Sequence, residues 1–330
     1  MVQAVPAAPP PLFTFAVVAD IQYADKDDGH FEGRTQRFRQ VPAKLAAAAD
    51  AMLAEHARLR AAPAPAAAAG APPGGGLAAL LHLGDIIDGY GGEPDGAACA
   101  ERDLALVEAQ LARVSAAGPP LRHVLGNHCF GLPRAALLPR LGFPKGRGYY
   151  AAPLAAGWRL LVLDTTDVSL FGHDEADPEA AEAKAWLAAH PVSEHPNAQT
   201  WNGGASGAQL SWLRARLADA AAAGGRVVVA AHHPLAPGAA PAHYLSWSHR
   251  ELRAAFEERP GVVALVLAGH YHPGGAAEVG GIHYVTLEGL LEAPPGGNAF
   301  AFVDVYGDRI AVRGQGAATS RELRLAAPPA

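Results

Sequence analysis

Apolar and polar positions fall in blocks along this chain. Runs of apolar, partly β-branched residues at 12–18, 77–83, 121–125, 158–163, 226–231 and 262–267 predict buried strands. Longer segments of helical character lie between them, at 34–60, 101–117, 178–189, 206–223 and 248–258. After residue 272 the pattern changes to short strands with glycine turns, at 282–287, 299–305 and 309–313. Helix-linked strands followed by a strand-rich segment predict an α/β fold, with two sheets face to face and helices outside. A single domain over 12–316 is expected, because strands leading to one candidate centre occur from residue 13 to residue 272. Residues 1–11 and 317–330 are expected to be tails. The stretch 61–76 is almost entirely Ala, Pro and Gly. It has too little apolar surface to offset its ordering entropy and is expected to be a flexible insertion.

The strand ends carry the chemistry. Successive apolar runs lead into Asp20-Ile21-Gln22, Gly84-Asp85-Ile86-Ile87-Asp88, Gly126-Asn127-His128, His232-His233 and Gly269-His270-Tyr271-His272. Open α/β sheets place their sites just past the carboxyl ends of buried strands. Five such blocks of Asp, Asn, Gln and His point to one metal centre assembled from distant segments. Its donors are all nitrogen and oxygen, which excludes a soft thiolate site. Other polar residues have blander readings. His82, inside an apolar run, is expected in the core, and His233 is expected to pack beside a ligand. Asp164 is expected to cap a loop, and Cys129 to line a wall.

Composition narrows the partners. Lys and Arg number 26 against 32 Asp and Glu, for a net charge of −6, and the basic residues form no cluster. A phosphate-tracking nucleic-acid surface needs such a cluster, so no nucleic-acid partner is expected. An anionic substrate must then be held by metal and local donors. The two cysteines, Cys99 and Cys129, make neither a disulfide framework nor a thiolate site. Residues 1–11 lack the basic and apolar regions of a secretory signal, and no apolar run approaches a membrane span. A cytoplasmic monomer without membrane attachment is the expectation.

The ordered blocks resemble the calcineurin-like metallophosphoesterases, whose signature runs D-x-H, G-D-x-x-D, G-N-H, a lone His and G-H-x-H. Gln22 stands where the first block usually has His. Further stretches resemble one branch, the manganese-dependent ADP-ribose/CDP-alcohol diphosphatases, which also carries Gln there. They include 19–25, 82–90, Asn202-Gly203-Gly204, 209–213, Leu287-Glu288-Gly289, Glu292-Ala293-Pro294 and Asn298-Ala299-Phe300. The resemblance implies a four-layer αββα sandwich holding two divalent cations, with Mn²⁺ favoured over Mg²⁺, Fe or Zn²⁺. It implies Asp85 as the bridging carboxylate. Asp20, Gln22 and His272 would complete one site, and Asn127, His232 and His270 the other. Replacing an imidazole by the Gln22 carbonyl hardens the first site and leans toward manganese. A water activated between the cations would attack a diphosphate phosphorus. His128 would face the scissile phosphate, oriented by Asp88. Asn202, Gly203, Gly204, Glu288 and Glu292 are expected to touch a nucleoside diphosphate substrate, the glycines through exposed N–H groups. Tyr23, Phe31, Tyr90 and Phe130 are candidates to stack on its base. The competing readings are a cyclic-nucleotide phosphodiesterase, a phosphoprotein phosphatase and a metal-poor protein-binding scaffold.

Overall fold

A computed structural model describes residues 9–62 and 75–326. Two six-stranded mixed sheets form its centre. From edge to edge, the first runs Arg321–Arg324, Arg309–Gly316, Ala299–Val305, Phe13–Val18, Leu77–His82, Leu121–His123. The second runs Gly275–Val279, Ile282–Thr286, Val263–Ala268, Arg226–Ala230, Trp158–Val162, Tyr150–Ala155. Parallel pairs lie inside each sheet, Phe13–Val18 with Leu77–His82 in the first and Arg226–Ala230 with both Val263–Ala268 and Trp158–Val162 in the second, while Phe13–Val18 pairs antiparallel with Ala299–Val305.

The burial pattern explains the layering. Along Arg226–Ala230, Val228 and Ala230 face the core between the sheets, with Phe13, Phe15, Leu160, Val162 and Leu265. Val227 and Val229 face the other way, onto Leu213, Leu217, Leu252 and Phe256 of the helices Gly207–Ala222 and His249–Glu257. A strand buried on both faces reads as a continuous apolar run rather than as an alternation. The helices Val41–Ala61 and Gly96–Ala116 pack on each other and cover the first sheet. Phe13 meets Trp158 edge to face across the two sheets, ring centroids 5.6 Å apart. The expected αββα sandwich is the observed architecture.

Two expectations change. The segment expected to open a helix at residue 34 forms instead a hairpin, Gly29–Phe31 with Arg34–Gln36, and the helix proper starts at Val41. Pro42 sits at the first helical turn, where a missing N–H costs nothing. The C-terminal segment is not all tail, because Arg321–Arg324 adds an edge strand to the first sheet. Most of the expected N-terminal tail (1–8), most of the expected insertion (63–74) and residues 327–330 lie outside the described residues. No helix among the described residues is long and apolar enough to cross a membrane.

Candidate metal centre

Every ligand candidate leaves the carboxyl end of a core strand, and both sheets contribute to one depression. Asp20 and Gln22 follow Phe13–Val18, Asp85 follows Leu77–His82, and Asn127 follows Leu121–His123. His232 follows Arg226–Ala230, and His270 and His272 follow Val263–Ala268. The backbone is forced to bring them together. Of five non-glycine residues in the left-handed region among the described residues, four are Asp20 (φ 49°), Gln22 (φ 46°), Asp85 (φ 53°) and His270 (φ 68°). Such strain persists only where surrounding structure over-determines it, and it gathers at functional sites. A Cβ on Gly126 would lie 2.2 Å from the Asp85 Oδ1, so only glycine lets Asn127 approach that carboxylate.

The groups converge. Ligand-type atoms of Asp20, Asp85 and His232 lie within 4.8 Å of one another, and those of His232, His233 and His270 form a second such group. All are buried. Asp85 accepts the His128 backbone N–H (2.8 Å) and has its Oδ2 3.2 Å from the His232 Nε2. Asn127 Oδ1 lies 3.1 Å from the same nitrogen. His272 Nε2 stands 3.4 Å from Asp20 Oδ1.

Hydrogen bonds on the far side of each ring choose which nitrogen is left for a cation. His232 gives Nδ1–H to the Leu83 carbonyl (2.9 Å), His270 gives Nε2–H to Asn202 Oδ1 (2.9 Å), and His272 gives Nδ1–H to Glu292 (3.1 Å). Metal-bound imidazoles are oriented in this way. The Gln22 amide supplies the sharpest test of fit. Its Nε2 donates to Asp88 (2.7 Å), while its buried Oε1 has no hydrogen-bond partner. A buried carbonyl oxygen left bare costs about 1–3 kcal/mol, and a divalent cation removes that cost. The residues present therefore fit hard cations.

Electrostatics agree. Burial opposes ionisation of Asp85, but the imidazoles of His232 and His128 outweigh it and hold the carboxyl well below its usual value. For His272, burial is outweighed by Asp20 and Glu292, and its pKa rises to about 10. Burial and the adjacent His233 and His232 push His270 far down. Asp85 lies against His232 and Asp20 against His272, so a divalent cation bound here would compete with protons for these groups.

His128 stands at the mouth. Its Nδ1 faces Asp88 Oδ1 at 3.0 Å, leaving Nε2 to the cleft. Burial lowers its basicity, yet Asp85 and the Asp88 hydrogen bond raise the pKa to about 9. Asp88 thus serves two groups, His128 and Gln22, and is itself paired with Lys26. Both His233 nitrogens are engaged, with Thr165 Oγ1 at 2.8 Å and the Trp201 carbonyl at 3.2 Å, so it packs against His270 rather than joining the ligands. Cys129 accepts the Gly126 N–H, and burial pushes its thiol up to about 12, too high for a nucleophile. His82 faces His123 in the core, and Asp164 caps its loop through Thr166 and pairs with Arg134.

The expected substrate contacts are placed differently. Asn202 is fully buried and donates to the carbonyls of Asn197 and His243 while accepting from His270, so it backs a ligand candidate. Gly203 and Gly204 are buried and pair with Val168–Ser169. A Cβ on Gly203 would meet the Thr165 carbonyl at 2.4 Å, so this glycine serves packing, not an exposed donor surface. Glu288 accepts from Thr319 Oγ1 (2.6 Å) and faces the C-terminal segment. Glu292 bonds Arg34 Nε (2.7 Å) and His272, supporting a ligand.

The depression opens into a cleft of about 500 Å³, whose outer wall is made by His30, Phe31, Arg34, Trp201 and Tyr244 beside Gln22, His128 and His272. Of the aromatic candidates only Phe31 lines it. Tyr23 is buried, Tyr90 is tied to Asp103 (2.5 Å), and Phe130 lies under Arg134. The wall residues Arg34, Trp201 and Tyr244 were missed by sequence reasoning. For Arg34 the one cue was Gly33, which with Glu32 makes a two-residue hairpin turn with both φ positive, and no cue marks Trp201 or Tyr244.

Residues 13–274 match the model of the calcineurin-like phosphoesterase family. A manganese-dependent ADP-ribose/CDP-alcohol diphosphatase of Oryza sativa subsp. japonica is 32% identical, over 95% of this chain and 94% of its own length. The protein of the same name from Homo sapiens is 30% identical, covering 94% and 92%. The crystal structure of a dimetal phosphatase from Danio rerio superposes with a TM-score of 0.81 at 28% identity, over 96% of this chain and all of that one.

Proposed function

Because the chain belongs to the calcineurin-like phosphoesterase family, we propose that it hydrolyses the diphosphate link of ADP-ribose and of CDP-alcohols such as CDP-choline, CDP-ethanolamine and CDP-glycerol, with manganese as its metal. It is a hydrolase of the phosphoesterase type. The observation that carries the finer reading is the Gln22 amide, clamped by Asp88 with its carbonyl oxygen bare among the ligands. Asp20, Gln22, Asp85 and His272 would hold one cation, and Asp85, Asn127, His232 and His270 a second, with Asp85 shared. Bound there, two divalent cations supply Lewis acidity at the phosphoryl oxygens and a strongly acidified water.

The chain's own groups do the rest. Asp88 fixes the His128 ring so that Nε2–H points into the cleft, at the oxygens of the phosphoryl group under attack. Divalent cations held at Asp85 would offset part of the field that raises the His128 pKa, and the Asp88 hydrogen bond would still support it. Asn202, Glu292 and the Leu83 carbonyl hold the three ligand rings in place. Water adds across the P–O–P bridge, so ADP-ribose gives AMP and ribose 5-phosphate, and CDP-choline gives CMP and phosphocholine. The scarcity of cysteine supports work in the reducing cytoplasm. Purified protein assayed with ADP-ribose, CDP-choline, cyclic nucleotides and phosphopeptides, with Mn²⁺, Mg²⁺ or no metal, tests the reading. Manganese-dependent release of AMP and CMP is expected, and hydrolysis of monoesters alone would overturn it.

A further inference from the structure

The cleft has few cations with which to hold a substrate that carries charge on two phosphoryl groups. Of the Lys and Arg side chains that line it, Lys26 is spent, paired with Asp88 and lying 4.3 Å from the centre of the Phe38 ring. Arg34 is different. Its Nε is fixed by Glu292 at 2.7 Å, and Glu292 in turn bonds the ring of His272 at 3.1 Å. That chain of contacts sets the guanidinium beside the ligand group, one carboxylate from a ligand imidazole. Its two terminal nitrogens make only long contacts, 3.4 Å to the same oxygen of the half-exposed Glu32, with the Tyr244 hydroxyl beside them on the cleft wall. That oxygen already accepts the Tyr244 hydroxyl at 2.8 Å. A guanidinium anchored at Nε with its NH₂ groups turned to a cleft is a fork for a phosphoryl group.

We infer that Arg34 grips the phosphoryl group that is not attacked, and so selects diphosphate-linked substrates over esters of a single phosphate. The inference rests on the diphosphatase reading above and adds a specificity residue to it. The attacked phosphoryl needs the ligand group and His128, which every ester of phosphate engages alike. The second phosphoryl is the feature that sets a diphosphate apart, and with the chain at −6 overall no broad positive field holds it. Arg34 lies on the hairpin Gly29–Phe31/Arg34–Gln36, which pairs with neither main sheet, so its replacement leaves the cores intact.

Calorimetry on manganese-loaded protein tests this with two ligands, AMP, the product of the proposed reaction, and α,β-methylene-ADP, whose P–CH₂–P link water does not cleave. Wild type is expected to bind the diphosphonate more tightly. Arg34→Gln should weaken α,β-methylene-ADP at least ~10-fold, the loss of one charge-assisted phosphate contact, and weaken AMP by less than ~3-fold. Arg34→Lys, which keeps charge but not the fork, should fall between. Equal weakening of both ligands would mean that Arg34 acts only through Glu292 and His272, and would overturn the inference. So would unchanged binding of both. Failure of wild-type protein to cleave ADP-ribose or CDP-choline is a separate result, which removes the functional reading itself.

Discussion

The floor and the outer wall of the cleft are built on different principles. On the floor, every ligand candidate but Asn127 follows a fully buried strand, and Asp20, Gln22, Asp85 and His270 sit in strained left-handed backbone that two sheets hold in place. The wall comes from a hairpin paired only with itself and from loops, and Phe31 (43% exposed) and Trp201 (36%) lie open to solvent. Strain is affordable where a core enforces it, and freedom is useful where substrates of varied shape must be admitted. The difference assigns chemistry to the floor and selection to the wall.

Substitutions can break that division. Asp85→Ala should have the largest effect, lowering kcat/KM for ADP-ribose at least ~100-fold, a barrier rise of about 2.7 kcal/mol, with the circular dichroism spectrum retained. His128→Gln should cost about 100-fold in kcat with little change in KM, as removal of a positioned proton donor does. Both are read from steady-state kinetics at saturating Mn²⁺. Glu292→Gln unsettles His272 from behind and should weaken Mn²⁺ affinity roughly 10-fold, measured by metal titration. Trp201→Ala, on the wall, should raise KM several-fold while kcat holds; a collapse of kcat would erase the distinction between floor and wall.

The smallest effect lies far from the cleft, where Arg313 bonds both Asp304 and Glu55 at 2.6 Å. Arg58 and Arg313 outweigh burial and hold the Glu55 carboxyl below its ordinary 4.5. A depressed carboxylate contributes stability that is fully present above about 4.5 and is lost as pH falls through the folded value. Arg313→Met should therefore lower Tm by roughly 2 °C at pH 7, with the deficit shrinking below pH 4.5 and kinetics unaffected. A deficit that grows on acidification would show that this cluster is wrongly described.

The same contrast explains what could be read from the chain alone. Floor residues announce themselves because a buried strand is a long apolar signal and the first polar residue after it has one place to go. The αββα layering follows from the same runs. The wall gives no such signal. Residues 29–36 carry no strong apolar period, Glu32 takes a φ of 47° that Asn or Gly would have advertised, and helical character seemed to begin at Arg34. Neighbourhood along the chain also misled. Asn202 and Glu288 sit in blocks that the diphosphatase resemblance marks, yet both turn inward, one to His270 and the other to Thr319. Lys44 illustrates the remainder: it is buried on the helix Val41–Ala61 and donates to the carbonyls of Leu291 and Ala293, flanking Glu292. Contacts between residues some 250 positions apart leave no trace in periodicity.

The central claim is that the floor holds a pair of divalent ions on which hydrolysis depends. Protein stripped by a chelator and titrated with Mn²⁺ measures it directly, with bound ions counted by mass spectrometry alongside CMP release from CDP-choline. The account predicts no turnover in the stripped protein and recovery that is complete as the second equivalent binds. Full turnover by metal-free protein would contradict it.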